Sequence, residues 1–212
     1  ILELGGEVRF GARLTEVLHK DGRVAAIRYE DAQGGHELPA EAVVLAIGHS
    51  ARDTFESLLA GGVTFVQKPF SIGARIEHPQ SLINVSQYGA AAGHPALGAA
   101  DYKLALHLPS GRSVYTFCMC PGGTVVAAAS EPESVVTNGM SCYARDGINA
   151  NSALLVGVGP EDFGSEHPLA GMFLQREIER RAFILGGRSG KAPCRRFRTA
   201  CSEGRCTQRC TK

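Results

Sequence analysis

Residues 43–62 read VVLAIGHSARDTFESLLAGG, and the order of residue types in this stretch decides the fold class. Val43 to Ile47 form a continuous apolar run, the pattern of a strand buried on both faces in a parallel α/β sheet. Gly48, His49 and Ser50 interrupt it. The Ser50-Ala51-Arg52-Asp53 quartet then has capping-box spacing, Phe55, Leu58 and Leu59 recur at helical intervals, and Gly61-Gly62 supply a stop. Strand, glycine turn and helix in that order leave backbone N–H groups and the positive end of a helix dipole at the strand's carboxyl edge, where open α/β sheets bind ligands.

Working outward toward the amino end, EVRFGARLTEVL (7–18) sets Val8, Phe10, Ala12 and Leu14 against Glu7, Arg9 and Arg13, the two-residue period of a half-buried strand. Lys20-Asp21-Gly22 supplies a hairpin turn, RVAAIRYED (23–31) the return strand, and the polar DAQGGHELPA (31–40) a further turn and strand. The opening ILELGG reads as the end of a helix turning into a strand. Together with a first residue that is Ile, this leads us to expect a piece of a longer chain. No basic segment followed by an apolar one marks an export signal, and no apolar run reaches the roughly 18 residues that span a bilayer. A cytoplasmic protein is the expectation.

Toward the carboxyl end the texture changes. Residues 63–160 are short β-like runs broken by Gly, Pro and Asn, expected to form a mainly antiparallel second domain; its clearest hairpin is ADYKLALHLPSGRSVYTFCM (100–119), turning at Pro109-Ser110-Gly111. Residues 161–193 hold an amphipathic helix, with Met172, Phe173, Ile178, Phe183 and Ile184 apolar among charges. Residues 194–212 form a basic, Cys-rich tail. The 44% hydrophobic content is enough for a substantial core, and a net charge of +1 predicts no electrostatic pull toward nucleic acid or anionic membrane.

The stretches VVLAIGHSARDTFESLLAGGV, FSIGARIEHPQSLIN, ADYKL, FCMCPGGTVVAAASE, TNGMSCYARDGINANSALLV and LQREIERRAFILGG closely resemble a bacterial family of FAD-dependent dehydrogenase-like proteins, related to the glutathione-reductase-like flavoproteins. The resemblance covers residues from about 8 to 193. It implies an α/β flavoprotein, α+β over the stretch present here: a partial FAD-binding, Rossmann-like domain at 1–62, a β-rich substrate or cap domain at 63–160, and a helix at 161–193 returning to the cofactor domain. It implies FAD as cofactor, NAD(P)H as a candidate electron donor, a small-molecule substrate, and a GxGxxG loop lying before Ile1. By position, Leu14 falls on the strand whose backbone meets the adenine. Ala46, Ile47, Gly48 and His49 fall on the strand end that lies against the cofactor, and Asp146, Gly147, Asn149 and Asn151 on the return segment near the flavin ring. After Pro193 the sequence departs from the family pattern.

The residues themselves offer further chemistry. Arg75 and Glu77 in IGARIEHPQ share one strand face and, with His78, could bind a carboxylated substrate, the guanidinium giving a planar fork and the imidazole a proton; a surface ion pair is the equal alternative. Cys118-Met119-Cys120 lacks the C-x-x-C spacing of redox dithiols, so strand packing is preferred, and the following Gly122-Gly123 allow close backbone approach to a ligand. The tail cysteines at 194, 201, 206 and 210 match no paired zinc knuckle, and no metal is expected. No catalytic residue is assigned. The leading reading is a FAD-dependent oxidoreductase carrying out flavin-mediated hydride or electron transfer; the other is a non-catalytic module holding a peptide or anionic metabolite around Arg75 and Asn149.

Overall fold

The structure, a computed structural model, describes residues 1–194, and they form two compact units, Ile1–Val66 and the residues from Gln67 onward. The fold is α+β, with antiparallel sheets throughout the described residues.

The first unit is a three-stranded meander of β1 (Arg13–Lys20), β2 (Arg23–Asp31) and β3 (Gly34–Pro39), followed by helix α1 (Arg52–Ala60). The β1–β2 turn is Asp21-Gly22, both at positive φ (52° and 74°), as a two-residue hairpin loop requires. The ladder tolerates a register shift between Leu14 and Glu16. Tyr29 on β2 is buried, stacked on the His36 ring at 5.0 Å and covered by the Arg9 guanidinium. Helix α1 starts at Arg52 with Ala51 at the N-cap, a residue that has no side-chain acceptor, and it ends at Gly61 as expected.

The apolar run at 43–47 departs from the sequence expectation. It is irregular chain outside any sheet, with Val44 90% exposed, and no strand among the described residues pairs with it. A strand buried on both faces needs neighbours and covering elements on either side; the meander before it in sequence is a three-stranded antiparallel sheet that this run does not join.

The second unit is built on a four-stranded antiparallel sheet of spatial order β4-β9-β6-β5: β4 (Phe70–Pro79), β5 (Ala105–His107), β6 (Ser113–Cys120) and β9 (Asn149–Val158). Strand β7 (Gly123–Ala128) and β8 (Val136–Ser141) form a separate hairpin. Helix α2 (Gln80–Tyr88) follows β4 directly, and α3 (Ala170–Leu185) follows a 3-10 turn at Pro160–Asp162. Every residue of β4 is paired, from Phe70 opposite Val158 to Pro79 opposite Asn149, so β9 lies at the centre of the sheet, with β6 on its other side.

The apolar core sits at one end of this sheet. Val158, Phe163 and Ala170 are buried against Phe70, Ile72 and Leu174, and the Phe70 and Phe163 rings stack at 5.2 Å. This fixes α3 within the second unit, where Arg176 pairs with Glu131 at 3.1 Å and the Val135 N–H donates to the Glu179 carbonyl. At the same end, Arg112 forms a two-pronged pair with Asp162 and donates to the Gly157 carbonyl at 2.9 Å, tying the 3-10 turn to the start of β6. The other end of the sheet is polar.

Candidate functional site

At the polar end, strand period and register bring together residues far apart in sequence. Arg75 and Glu77 project from one face of β4, opposite Ala153 and Asn151 of β9. The Arg75 Nη1 donates to Asn151 Oδ1 at 2.6 Å and to the Cys118 carbonyl at 3.2 Å, and Nη2 donates to Asn138 Oδ1 on β8 at 3.2 Å. Glu77 accepts from Asn149 Nδ2 at 2.7 Å and from the Val125 N–H on β7 at 3.0 Å. The β7–β8 hairpin is therefore fastened over this face by charge-assisted hydrogen bonds, the stronger kind. Arg75 and Glu77 serve as two separate hubs, one for amide oxygens and one for N–H donors. A guanidinium presents five donors, and Nε and one Nη2 proton of Arg75 have no protein partner among the described residues.

His78 lies on the opposite face, because successive strand residues alternate. Its Nε2 is 2.8 Å from the Tyr102 hydroxyl, and burial holds the imidazole below its usual value while raising the Tyr102 phenol. A proton carried by His78 is thus separated by the sheet from anything held by Arg75 and Glu77.

The glycines of this end fit chain against chain. Gly122 has φ +56°, and a Cβ there would overlap the Arg145 carbonyl; a Cβ on Gly147 would overlap the Gly122 carbonyl. Gly123 lies against Met140 and Ser141 in the same manner. The close approach expected of Gly122 and Gly123 is made here to the protein's own backbone. Asp146 and Gly147 are on the exposed loop leading into β9, while Asn149 and Asn151 are buried on the strand itself.

Four of the residues singled out in the sequence, Arg75, Glu77, Asn149 and Asn151, thus meet on one face. Gln80 and Asn138 belong to the same region and were missed, and Cys120, read in the sequence as strand packing, joins them. Gln80 opens α2, buried: its Nε2 donates to Asn84 Oδ1 and the Ala100 carbonyl, and its Oε1 accepts from the Gly122 N–H, all at 2.8 Å. The signal for it was the Pro79-Gln80 step that ends β4, since Pro79 takes the N-cap position and starts a helix.

In the first unit, Leu14 is on β1 opposite Tyr29, beside the register shift. Ala46, Ile47 and Gly48 lie on this irregular run and His49 in the turn that follows it, with Gly48 at φ +71° and open space where its Cβ would stand. The main chain of 43–48 makes no ladder among the described residues, so the strand end expected against a dinucleotide cofactor is not formed there.

Residues 69–211 match the family described as FAD-dependent protein, C-terminal domain-like. Over 194 residues the chain is 54% identical to a protein of Clostridium beijerinckii (strain ATCC 51743 / NCIMB 8052) that bears the name "Uncharacterized protein"; the match covers 91% of this chain and 36% of that relative. The chain therefore spans about a third of the relative's length. No helix of the described residues is long and apolar enough to cross a membrane. With the family match extending over more than half of its residues, the chain belongs to the FAD-dependent proteins, as a C-terminal-domain-like member.

Proposed function

We propose that this chain forms part of a FAD-dependent oxidoreductase acting on a small molecule, in which a bound flavin supplies hydride or electron transfer. The observation that carries the reading is the family match over 69–211. The main chain of Ala46, Ile47, Gly48 and His49, with that of Leu14, is the chain's contribution to holding the cofactor. In support, this run is free of any ladder among the described residues, and its main-chain groups are not taken up by a sheet.

The second unit contributes recognition. Arg75 is held in place by Asn151, Asn138 and the Cys118 carbonyl, and keeps Nε and one Nη2 proton for a further acceptor, which suits a substrate carboxylate. Glu77 accepts from the Asn149 amide and the Val125 N–H, and so fixes Asn149 and the hairpin beside it. Of the alternative, a module that binds without catalysis, the same Arg75 geometry is the feature in favour, so flavin content discriminates the two.

The experiment is to purify the whole Clostridium beijerinckii relative and measure flavin absorbance before and after denaturation. A yellow protein that releases FAD is the expected result, and bleaching by NADH or NADPH would identify the donor. A colourless relative that releases no flavin overturns the oxidoreductase reading and leaves the binding module.

A further inference from the structure

The second unit also holds a free, half-buried cysteine, Cys120, beside Arg75 and Asn151. Strand β6 pairs regularly with β9 as far as Phe117 opposite Ala153, and the next pair is Cys120 opposite Asn151. One extra residue has been inserted, with Cys118 at φ +46°, a left-handed conformation that side-chain-bearing residues seldom adopt. Without the bulge, Met119 would face Asn151. The bulge turns Cys120 onto the face that carries Arg75.

The packing there is tight and polar. Asn151 Oδ1, Arg75 Nη1 and Cys120 Sγ all lie within 2.6 Å of the position a Cβ on Gly139 would occupy, so they are no more than about 5 Å from one another. Arg75 can only donate, which fixes the Asn151 amide with its oxygen toward the guanidinium. The Asn151 Nδ2 is thereby committed to another direction, and this donor is buried, on a residue 0% exposed, with no hydrogen-bond partner. Because Asn151 and Cys120 are directly opposed, their side chains rise from the sheet as neighbours, with Cβ atoms about 4.5–5.5 Å apart in such pairs. The thiol makes only a weak contact, 3.4 Å to the Cys118 carbonyl.

We propose that Cys120 is a site of oxidation by hydroperoxides, in which an oxygen added to sulfur becomes the acceptor that Asn151 Nδ2 and Arg75 surround. The Sγ attacks one oxygen of the peroxide; the S–O bond forms as the O–O bond breaks, sulfur is oxidised by two electrons, and the thiol proton goes to the departing oxygen, giving cysteine sulfenic acid and water or an alcohol.

The test treats the reduced full chain with hydrogen peroxide, then unfolds and alkylates it and assigns the unalkylated sites one by one from fragment ions by mass spectrometry, because Cys118, Cys120 and Cys142 share the stretch between Arg112 and Arg145. Alkylation after unfolding removes access of the alkylating agent as a variable. Cys118 and Cys142 are exposed whereas Cys120 is half-buried, so accessibility alone ranks Cys120 last. The expected result is that Cys120 is protected from alkylation about tenfold faster than either, equivalent to about 1.4 kcal/mol of activation free energy. Asn151→Ala, shown folded by its thermal transition, should bring Cys120 down to the rate of Cys142 without changing Cys142. Loss of alkylation in order of exposure, with Cys118 and Cys142 first, overturns the proposal, and so does an unchanged Cys120 rate in folded Asn151→Ala. If Asn151→Ala does not fold, the ranking in the wild-type chain decides.

Discussion

Gly139→Ala probes the polar end of the sheet most directly. The added methyl would overlap Asn151 Oδ1 and Arg75 Nη1 and stand 2.6 Å from Cys120 Sγ. The guanidinium is the far end of a flexible side chain and can retreat, but Asn151 is short, buried and on the central strand. Relief therefore comes by moving Arg75, which breaks its 2.6 Å bond to Asn151, or by lifting the β7–β8 hairpin, which breaks the 3.2 Å Arg75–Asn138 bond. Overpacking costs roughly 1–3 kcal/mol, and losing a charged hydrogen bond about 1.5–3 kcal/mol. The two overlap, because breaking the bond is how the strain is relieved, so about 3 kcal/mol is the expected destabilisation, a fall of roughly 6–12 °C in Tm for a chain of this size. The assay is thermal unfolding followed by circular dichroism, with Gly157→Ala as control, a glycine on the same sheet whose Cβ would meet nothing within 4 Å. If the two variants melt together, the Arg75–Asn151–Gly139 contact does not hold the hairpin and the geometry argued for this end is refuted.

Two further outcomes concern pH. The Arg112 guanidinium, and then the Gly159 N–H, hold the Asp162 carboxyl below its usual value. A depressed acid gives stability that is present above the unfolded value near 3.8 and lost as pH falls through the lower folded value; Asp162→Asn should therefore flatten the acid limb of a stability profile below about pH 4 and leave its slope near pH 7 unchanged. An Asp162→Asn profile that superimposes on wild type refutes this. His78 is a base depressed by burial, so the unfolded chain binds its proton first: stability should decline as pH falls below 6.5, and His78→Gln should lessen that decline. Equal slopes for the two proteins between pH 7 and 5 would show that the imidazole is not desolvated.

What could be read from the sequence was what local geometry encodes. Asp21-Gly22 demanded a two-residue hairpin because both residues take positive φ, and the structure has it. The turn at Pro109-Ser110-Gly111 and the amphipathic spacing of 170–185 likewise appear where the pattern put them, as the β5–β6 hairpin and α3. Helix α2 was hidden, since its nine residues carry only Leu82, Ile83 and Val85 as aliphatic markers, too few to reveal a period between Pro79 and Gly89. The run at 43–47 failed for a different reason. Apolar residues in sequence state a demand for burial, not the identity of the neighbour that meets it, and no strand among the described residues does so.

The site divides along the same line. That Arg75 and Glu77 share a face follows from a two-residue period within one strand, and needs no knowledge of what lies opposite. That Asn151 receives the Arg75 bond depends on register between positions 76 residues apart in the chain, set by ten consecutive pairs from Phe70–Val158 to Pro79–Asn149. Cys120 needed one thing more. In an unbroken strand Cys118 and Cys120 would share a face and Met119 would sit opposite Asn151; a single inserted residue reverses which side chain arrives there. Nothing in CMC marks that insertion, because Cys118 is neither Gly nor Asn, the residues that ordinarily signal a left-handed backbone. A bulge whose conformation its own residue disfavours is maintained by the surrounding ladder, and that is the condition under which strain is kept for a purpose. Cys118→Gly separates the two possibilities: relief of strain with peroxide chemistry at Cys120 intact means that the bulge only has to aim the sulfur, whereas relief with the chemistry lost means that the strained backbone itself sets the sulfur against Asn151.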